Sequence, residues 1–159
     1  MRYLIGTGNY TGFDDSIGLR VAETIAEDGV DHGFRVIDLG GNLLDLVHYL
    51  DSGTDTVLIV DCARMGMEPG EYLLFAPDQV KTRKELGGVS THEADLLRVL
   101  DLAASLGREL PTVTILGIEP EEIRAEVGLS ATLANRMGEY VRAALDFFAS
   151  AVPASDSDA

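Results

Sequence analysis

The chain has 159 residues, 46% of them apolar, which is enough for one domain with a well-buried core. Its 27 acidic residues outnumber its 12 Lys and Arg residues and give a net charge of -15, which argues against nucleic acid and anionic membranes as partners and suits a basic partner. Cys62 is the only cysteine, so the sequence excludes an internal disulfide and a multi-cysteine metal cage. We see no targeting signal and no stretch of the ~20 apolar residues that span a bilayer, and we expect a cytoplasmic protein.

In the first half of the chain, short apolar runs rich in β-branched residues alternate with helical patterns. The runs that predict strands are residues 2–7, 34–39 and 56–60. Between the first two runs, apolar residues at helical spacing predict a helix whose inner face consists of Ile17, Val21, Ala22 and Ile25. A second, shorter helix is predicted over residues 42–51.

The second half adds two strands and two helices. The turn signal Pro69-Gly70 precedes a short strand at residues 71–75 that suits an antiparallel sheet edge, and residues 76–90 have the pattern of a loop. Ser90 and Glu93 have the spacing of a capping box, which predicts a helix from Ser90 to near Gly107. A buried strand is predicted over residues 112–118 and a last helix over residues 130–150.

These elements predict a three-layer α/β/α sandwich, because strands and helices alternate with short connections. The sheet is expected to be mostly parallel and five-stranded, with one antiparallel edge strand. We expect a single domain over residues 1–150 and a disordered tail at residues 151–159. Ligands of such sheets bind beyond the carboxyl ends of the strands, near the acidic residues Asp15, Asp38, Asp61 and Glu119.

The loop after the first strand contains Gly6 and Gly8 but does not have the composition of a nucleotide-binding loop. The dinucleotide fingerprint requires a third glycine at position 11, where this chain has Thr11. The carboxylates of Asp14 and Asp15 at the start of the next helix would also repel a phosphate. We therefore predict a cation or metal site here. Either aspartate could instead be an N-cap, worth about 1 kcal/mol of helix stability.

Asp61 and His92 are the other residues that could do chemistry. Asp61 follows a buried apolar strand, where it either binds a cation or caps the backbone of the next turn, and the sequence favours neither. His92 would lie near the positive end of a helix, which favours a neutral, metal-binding imidazole, although an exposed histidine is the simpler interpretation. Two carboxylates and one imidazole suit nickel, zinc or manganese. We interpret Cys62 as a buried cysteine without a chemical role.

Several blocks in the same order resemble the hydrogenase maturation proteases over residues 1–150. The blocks are Gly6-x-Gly8-Asn9, Asp14-Asp15-x-x-Gly18, Leu58-Ile59-Val60-Asp61, Met65-Gly66-Met67-Glu68-Pro69-Gly70, Ser90-Thr91-His92 and Leu116-Gly117-Ile118-Glu119-Pro120. The resemblance implies an endopeptidase that removes the C-terminal extension from the large-subunit precursor of a nickel-iron hydrogenase after nickel insertion. The precursor is then the partner, and neither nucleic acid nor a membrane is expected.

The resemblance also implies the site residues. Asp15, Asp61 and His92 would recognise the nickel of the precursor, and their catalytic and metal-binding roles are not separable from sequence. Many relatives have glutamate where this chain has Asp15, which is one methylene shorter. Another divalent metal could occupy the site in the isolated protein. Supporting roles fall to Gly6, Gly8, Asn9, Asp14 and Asp38.

Two other functions compete with the protease. A nickel-binding maturation chaperone, or a degenerate homologue that holds the precursor without cutting it, would need the same ligands. An unrelated nucleotide-binding α/β domain would need the glycine fingerprint that this loop lacks.

Overall fold

A computed structural model describes residues 1–31, 33–40, 42–51, 53–77, 79, 91–107 and 109–150, with backbone alone for residues 91–94. Five strands form one sheet in the order β2-β1-β3-β5-β4. The strands are β1 (Arg2–Thr7), β2 (Arg35–Gly40), β3 (Thr56–Cys62), β4 (Tyr72–Phe75) and β5 (Thr112–Ile118). All neighbouring pairs are parallel except β4 with β5, so the predicted antiparallel edge strand is confirmed.

Helices cover both faces of the sheet, as the three-layer prediction requires. They are α1 (Ile17–Asp28), α2 (Thr91–Ser105), α3 (Ala131–Ala134) and α4 (Met137–Ser150). The predicted inner face of α1 is correct, since all four of its residues are fully buried. In the described part of the chain, no helix is both long and apolar enough to cross a membrane. Residues 78 and 80–90 of the predicted loop at 76–90, with the cap Ser90, and the tail at 151–159 lie outside the described residues.

Three elements differ from the prediction in helix type, continuity or length. The second helix is a 3-10 helix, Leu43–Tyr49, in which the buried Leu43 and Leu46 are three residues apart, the period of that helix type. The last helix is interrupted, because the N–H of Arg136 bonds to the carbonyl of Leu133 in a tighter turn between α3 and α4. Asp61 lies inside β3 and pairs with Gly117 of β5, so the strand continues past the predicted end at residue 60.

Side chains of β3 alternate between two separate cores. Leu58, Val60 and Cys62 lie in the core shared with α1 and α4. Val57 and Ile59 lie in the core shared with the 3-10 helix and α2. Since side chains alternate along a strand, Asp61 has the same orientation as Val57 and Ile59, toward the layer that contains α2.

Helix α1 lies unusually close to the first strand. A Cβ atom on Gly6 would lie 2.6 Å from the carbonyl oxygen of Gly18 and 2.8 Å from the Cβ of Ala22. Contacts this short exclude any side chain at Gly6. The glycine therefore allows α1 to pack directly on β1, which places the turn before α1 at the carboxyl edge of the sheet.

Candidate functional site

Asp15 lies in a 3-10 turn, Asp14–Ser16, between the glycine loop and α1, and this turn packs against β3. Gly8 has a φ of 140°, and a Cβ atom there would lie 2.2 Å from the carbonyl oxygen of Asp15. The N–H of Asn9 donates to the same oxygen at 3.3 Å, and the side chain of Asn9 accepts from the N–H and hydroxyl of Thr11. The glycine loop thus shapes the backbone that carries the partly buried Asp15.

Asp61 lies next to the end of β3 and is 2% exposed. Its Oδ1 accepts a hydrogen bond at 2.8 Å from the N–H of Cys62, the last residue of β3, so this contact lies within the strand and not in the following turn. A Cβ atom on Gly117, the residue that pairs with Asp61, would face Phe75, Ala63 and Met65. Those three side chains belong to the core beneath α2, which supports the same orientation for Asp61.

The pKa of the Cys62 thiol reflects the charges around the end of β3. Burial raises the pKa of Cys62, and the charges of Asp61, Asp15 and Asp14 raise it further, while Arg64 opposes them. The thiol therefore stays protonated at neutral pH, and the prediction that Cys62 is a buried cysteine is confirmed. Because three carboxylates act on one thiol, Asp15 and Asp61 belong to the same electrostatic environment.

Asp14 does not cap a helix, which corrects that alternative from the sequence. The N-cap of α1 is Ser16, without a side-chain cap bond, and Asp14 is fully buried. Its Oδ2 accepts from the N–H groups of Glu121 and Glu122 at 2.9 and 3.0 Å, and its Oδ1 from the N–H of Ser130 at 2.8 Å. Asp14 therefore joins the turn of Asp15 to the segment 119–130.

Glu119 is a third buried carboxylate, after Asp61 and Asp14, and its role was not predicted. It is 6% exposed, and its Oε1 accepts from the N–H of Met65 at 2.7 Å and of Met67 at 3.0 Å. Its position directly after a buried strand was visible in the sequence, but its hydrogen-bond partners were not. The contacts show that Glu119 holds the turn that follows β3.

Asp38 lies inside β2, where it pairs with Gly6, and its exposed side chain makes local contacts. Its Oδ1 accepts from the N–H of Gly40 at 3.0 Å, and its Oδ2 accepts from the hydroxyl of Tyr10 at 2.9 Å. Glu23 contacts the same hydroxyl at 3.1 Å. Burial and these two carboxylates raise the pKa of Tyr10, so its proton is retained at neutral pH.

His92 lies in the first turn of α2, and its side chain is outside the described part of the structure. Helix α2 ends at Ser105, shortly before β5 begins at Thr112. Its C-terminus is thus joined to the start of β5, which directs its first turn toward the carboxyl edge of the sheet. Among the side chains that are described, no three of His, Cys, Asp and Glu form a metal-holding group, and the set of Asp15, Asp61 and His92 stays a prediction.

Comparison with known proteins gives consistent results. A family model described as hydrogenase maturation protease matches residues 19–147. The chain is 31% identical over 120 residues to the hydrogenase 3 maturation protease of Escherichia coli, covering 74% of this chain and 72% of that protein. It is 28% identical to the hydrogenase expression/formation protein HoxM of Azotobacter vinelandii, covering 92% of this chain and 71% of that protein. For some relatives the chain spans only 57% of their length.

A solved structure shows the same fold. The hydrogenase maturating endopeptidase HybD from Escherichia coli superposes with a TM-score of 0.75, at 20% identity, over 98% of this chain and 98% of that chain. At this identity the likeness concerns the fold. Family membership is shown by the family model, which matches most of the chain, and by the relative at 31% identity. This chain belongs to the hydrogenase maturation protease family.

Proposed function

We propose that this protein is an endopeptidase that removes the C-terminal extension from the large-subunit precursor of a nickel-iron hydrogenase after nickel has been inserted. Membership of the maturation protease family supports peptide-bond hydrolysis. The observation that carries the proposal further is that the turn of Asp15 packs against β3, the strand that contains Asp61. This concentration of carboxylates at one edge of the sheet suits a cationic group in the substrate.

Nickel bound in the precursor is the cation that this site would recognise. Carboxylate oxygens and a neutral imidazole are ligands that suit Ni²⁺. Asp15 and Asp61 would supply the carboxylates, and His92 would supply the imidazole. The backbone of His92 lies in the first turn of a helix, where the positive end of the helix dipole disfavours protonation of an imidazole. The carboxylates of Asp61 and Asp15 both act on the Cys62 thiol, and their like charges repel each other. A divalent cation between them would relieve this repulsion. A precursor without nickel would lose that gain and bind more weakly.

Hydrolysis requires a base near the scissile peptide bond. In this proposal, Asp15 or Asp61 accepts a proton from a water molecule, and the resulting hydroxide adds to the carbonyl carbon. The tetrahedral intermediate then expels the amine, the C–N bond breaks, and the proton returns to the amine nitrogen. Cys62 is unsuited to act as the nucleophile, because burial and nearby carboxylates raise its pKa.

The proposal is tested by incubating purified protein with its hydrogenase large-subunit precursor in nickel-loaded and nickel-free forms. Mass spectrometry measures the loss of a C-terminal peptide. We expect cleavage of the loaded precursor and much slower cleavage of the nickel-free form. Equal rates for both forms would contradict nickel recognition.

The same measurement separates the non-cleaving chaperone from the protease. A chaperone would bind the loaded precursor and leave its mass unchanged, whereas a protease releases a peptide. A dinucleotide-binding domain would instead show a higher melting temperature with dinucleotide, and we expect no such shift.

A further inference from the structure

Two buried carboxylates flank the candidate ligands and belong to neither the core nor the surface. Asp14 precedes Asp15 in sequence and is 0% exposed, and Glu119 follows β5 and is 6% exposed. Burial of an ionised carboxylate is unfavourable unless hydrogen bonds replace its lost water. Both residues obtain those bonds from backbone N–H groups of distant segments.

We propose that Asp14 and Glu119 are positioning residues that use the shared segment 119–130 to hold the turn of Asp15 and the end of the Asp61 strand at a fixed spacing. The inference rests on the proposed function for the roles of Asp15 and Asp61. It goes beyond that function, because it assigns the spacing of these two carboxylates to residues that do not contact the nickel.

The first link joins Asp15 to the segment. The three hydrogen bonds of Asp14 come from N–H groups that are 107 to 116 residues away in sequence. Backbone bonds reinforce them: Phe13 N–H donates to Glu126 O at 2.8 Å, and Asp14 N–H donates to Glu122 O at 3.3 Å. The two loops therefore form one continuous hydrogen-bonded unit.

The second link joins the segment to Asp61. The carboxylate of Glu119 holds the N–H groups of Met65 and Met67, in the turn that β3 leads into. The backbone of that region is tied at two further points, Ala63 N–H to Ile118 O at 2.9 Å and Gly70 N–H to Glu119 O at 2.8 Å. Movement of this turn relative to residues 118–119 would break several bonds together.

The backbone of Phe13 has an unfavourable conformation that the surrounding contacts must stabilise. Phe13 is the one non-glycine residue of the described chain with a positive φ, at 57°. Such a conformation is unfavourable for a residue with a side chain and persists where the surroundings impose it. The Phe13 ring packs under the guanidinium of Arg124 at 3.9 Å, which again connects this loop to the segment 119–130.

We expect opposite outcomes when each carboxylate is replaced by its amide: Asp14→Asn should lose a hydrogen bond, and Glu119→Gln should keep both of its bonds. Asp14 uses both oxygens, so Asp14→Asn replaces one acceptor with an NH₂ group that faces an N–H donor. Glu119 holds both N–H groups with Oε1 alone, so Glu119→Gln can keep both bonds, whereas Glu119→Ala keeps neither. If only the charges mattered, Asp14→Asn and Glu119→Gln would behave alike.

Amide hydrogen exchange by NMR tests the links without any activity assay. In Asp14→Asn we expect exchange about tenfold or more faster at Glu121, Glu122 and Ser130, and also at Asn9 and Asp15, with the amides of central β3 unchanged. Glu119→Gln should resemble the wild type, and Glu119→Ala should accelerate exchange at Met65 and Met67. Unchanged exchange at Asn9 and Asp15 in Asp14→Asn would overturn the proposal.

A kinetic comparison then separates positioning from general destabilisation. The control is Ile25→Ala, which creates a cavity in the core at the far end of α1. At a temperature where all variants are folded, Asp14→Asn should raise the KM for nickel-loaded precursor about tenfold, while Ile25→Ala should leave it unchanged. Equal effects of the two variants would overturn the positioning role. If the wild type cleaves no precursor, the proposed function fails, and the exchange result still decides whether Asp14 and Glu119 position the loops.

Discussion

Gly18 and Val60 lie so close that a Cβ atom on Gly18 would be 2.1 Å from the carbonyl oxygen of Val60. The same atom would be 2.4 Å from the carbonyl oxygen of Thr7. The first turn of α1 therefore packs against the ends of β1 and β3. Its contact on β3 is Val60, the residue before Asp61. This contact sets how closely the first turn of α1 approaches the end of β3.

Substitution of Gly18 by alanine is expected to destabilise the protein and to displace the turn of Asp15. Both contacts involve backbone atoms, which cannot rotate away, so we expect a loss of about 3 kcal/mol in the free energy of unfolding. Urea denaturation measures it. Gly138→Ala in α4 is the matched control, because nothing lies within 4 Å of its Cβ position and alanine favours helices by about 0.5–1 kcal/mol. A mild Gly18→Ala phenotype, similar to that of Gly138→Ala, would contradict the close contact.

Asp15→Asn and Asp61→Asn are each expected to lower processing of nickel-loaded precursor by about 100-fold or more while the protein stays folded. The amide is similar in size but cannot act as an anionic ligand or base. Initial rates of precursor cleavage measure the effect, and circular dichroism checks the fold. Asp51→Asn is the control, because this exposed carboxylate lies before β3 and contacts Gly53 and Thr54. Wild-type rates in Asp15→Asn and Asp61→Asn would refute the assigned site.

His92→Ala is expected to abolish processing and to leave the melting temperature nearly unchanged. The reason is the loss of the one imidazole in the proposed ligand set, at a position on the first turn of α2. His48→Ala, an exposed residue in the 3-10 helix, controls for loss of a histidine elsewhere. Retained processing in His92→Ala would remove His92 from the site.

Cys62 is expected to be unreactive in the folded protein and unnecessary for processing. Burial and the nearby carboxylates raise its pKa, so little thiolate forms at pH 8, and alkylation should be much slower in the native than in the urea-unfolded chain. Cys62→Ala should process precursor at the wild-type rate in the folded protein. Loss of activity with retained folding would instead indicate a chemical role for the thiol.

Tyr140 is expected to contribute stability that disappears at alkaline pH. Burial is the main cause that raises its pKa to about 12, while an unfolded tyrosine titrates near 10. The folded state therefore retains the proton more strongly, and the contribution is complete below about pH 10 and declines as pH rises toward 12. Denaturation at several pH values measures this decline, which should be smaller in Tyr140→Phe.

The same variant should also be less stable at neutral pH. The Tyr140 hydroxyl donates to the carbonyl of Gly70 at 2.6 Å, and its removal leaves a buried acceptor without this donor. The expected cost is about 1–3 kcal/mol. A variant as stable as the wild type at pH 7 would show that the bond contributes little.

Local pattern was sufficient to predict much of the fold. The period of Ile17, Val21 and Ile25 identified the buried face of α1, and a short apolar run after Pro69-Gly70 identified the antiparallel edge strand. Boundaries were less predictable because neighbouring elements decide them. Asp61 is inside β3 because Gly117 on β5 offers a pairing partner, which residues 56–60 alone do not reveal.

The sequence by itself determined which residues are chemically able to form a site, because carboxylates at strand ends and a histidine at a helix start follow from local order. Local order alone did not distinguish the adjacent Asp14 and Asp15, and the family resemblance placed Asp15 among the ligands and Asp14 in a supporting role. Only the tertiary structure showed how their surroundings differ, because three N–H groups from residues 121–130 surround Asp14 while Asp15 is partly exposed. Such contacts join residues more than 100 positions apart, and their geometry depends on how the sheet brings the two loops together.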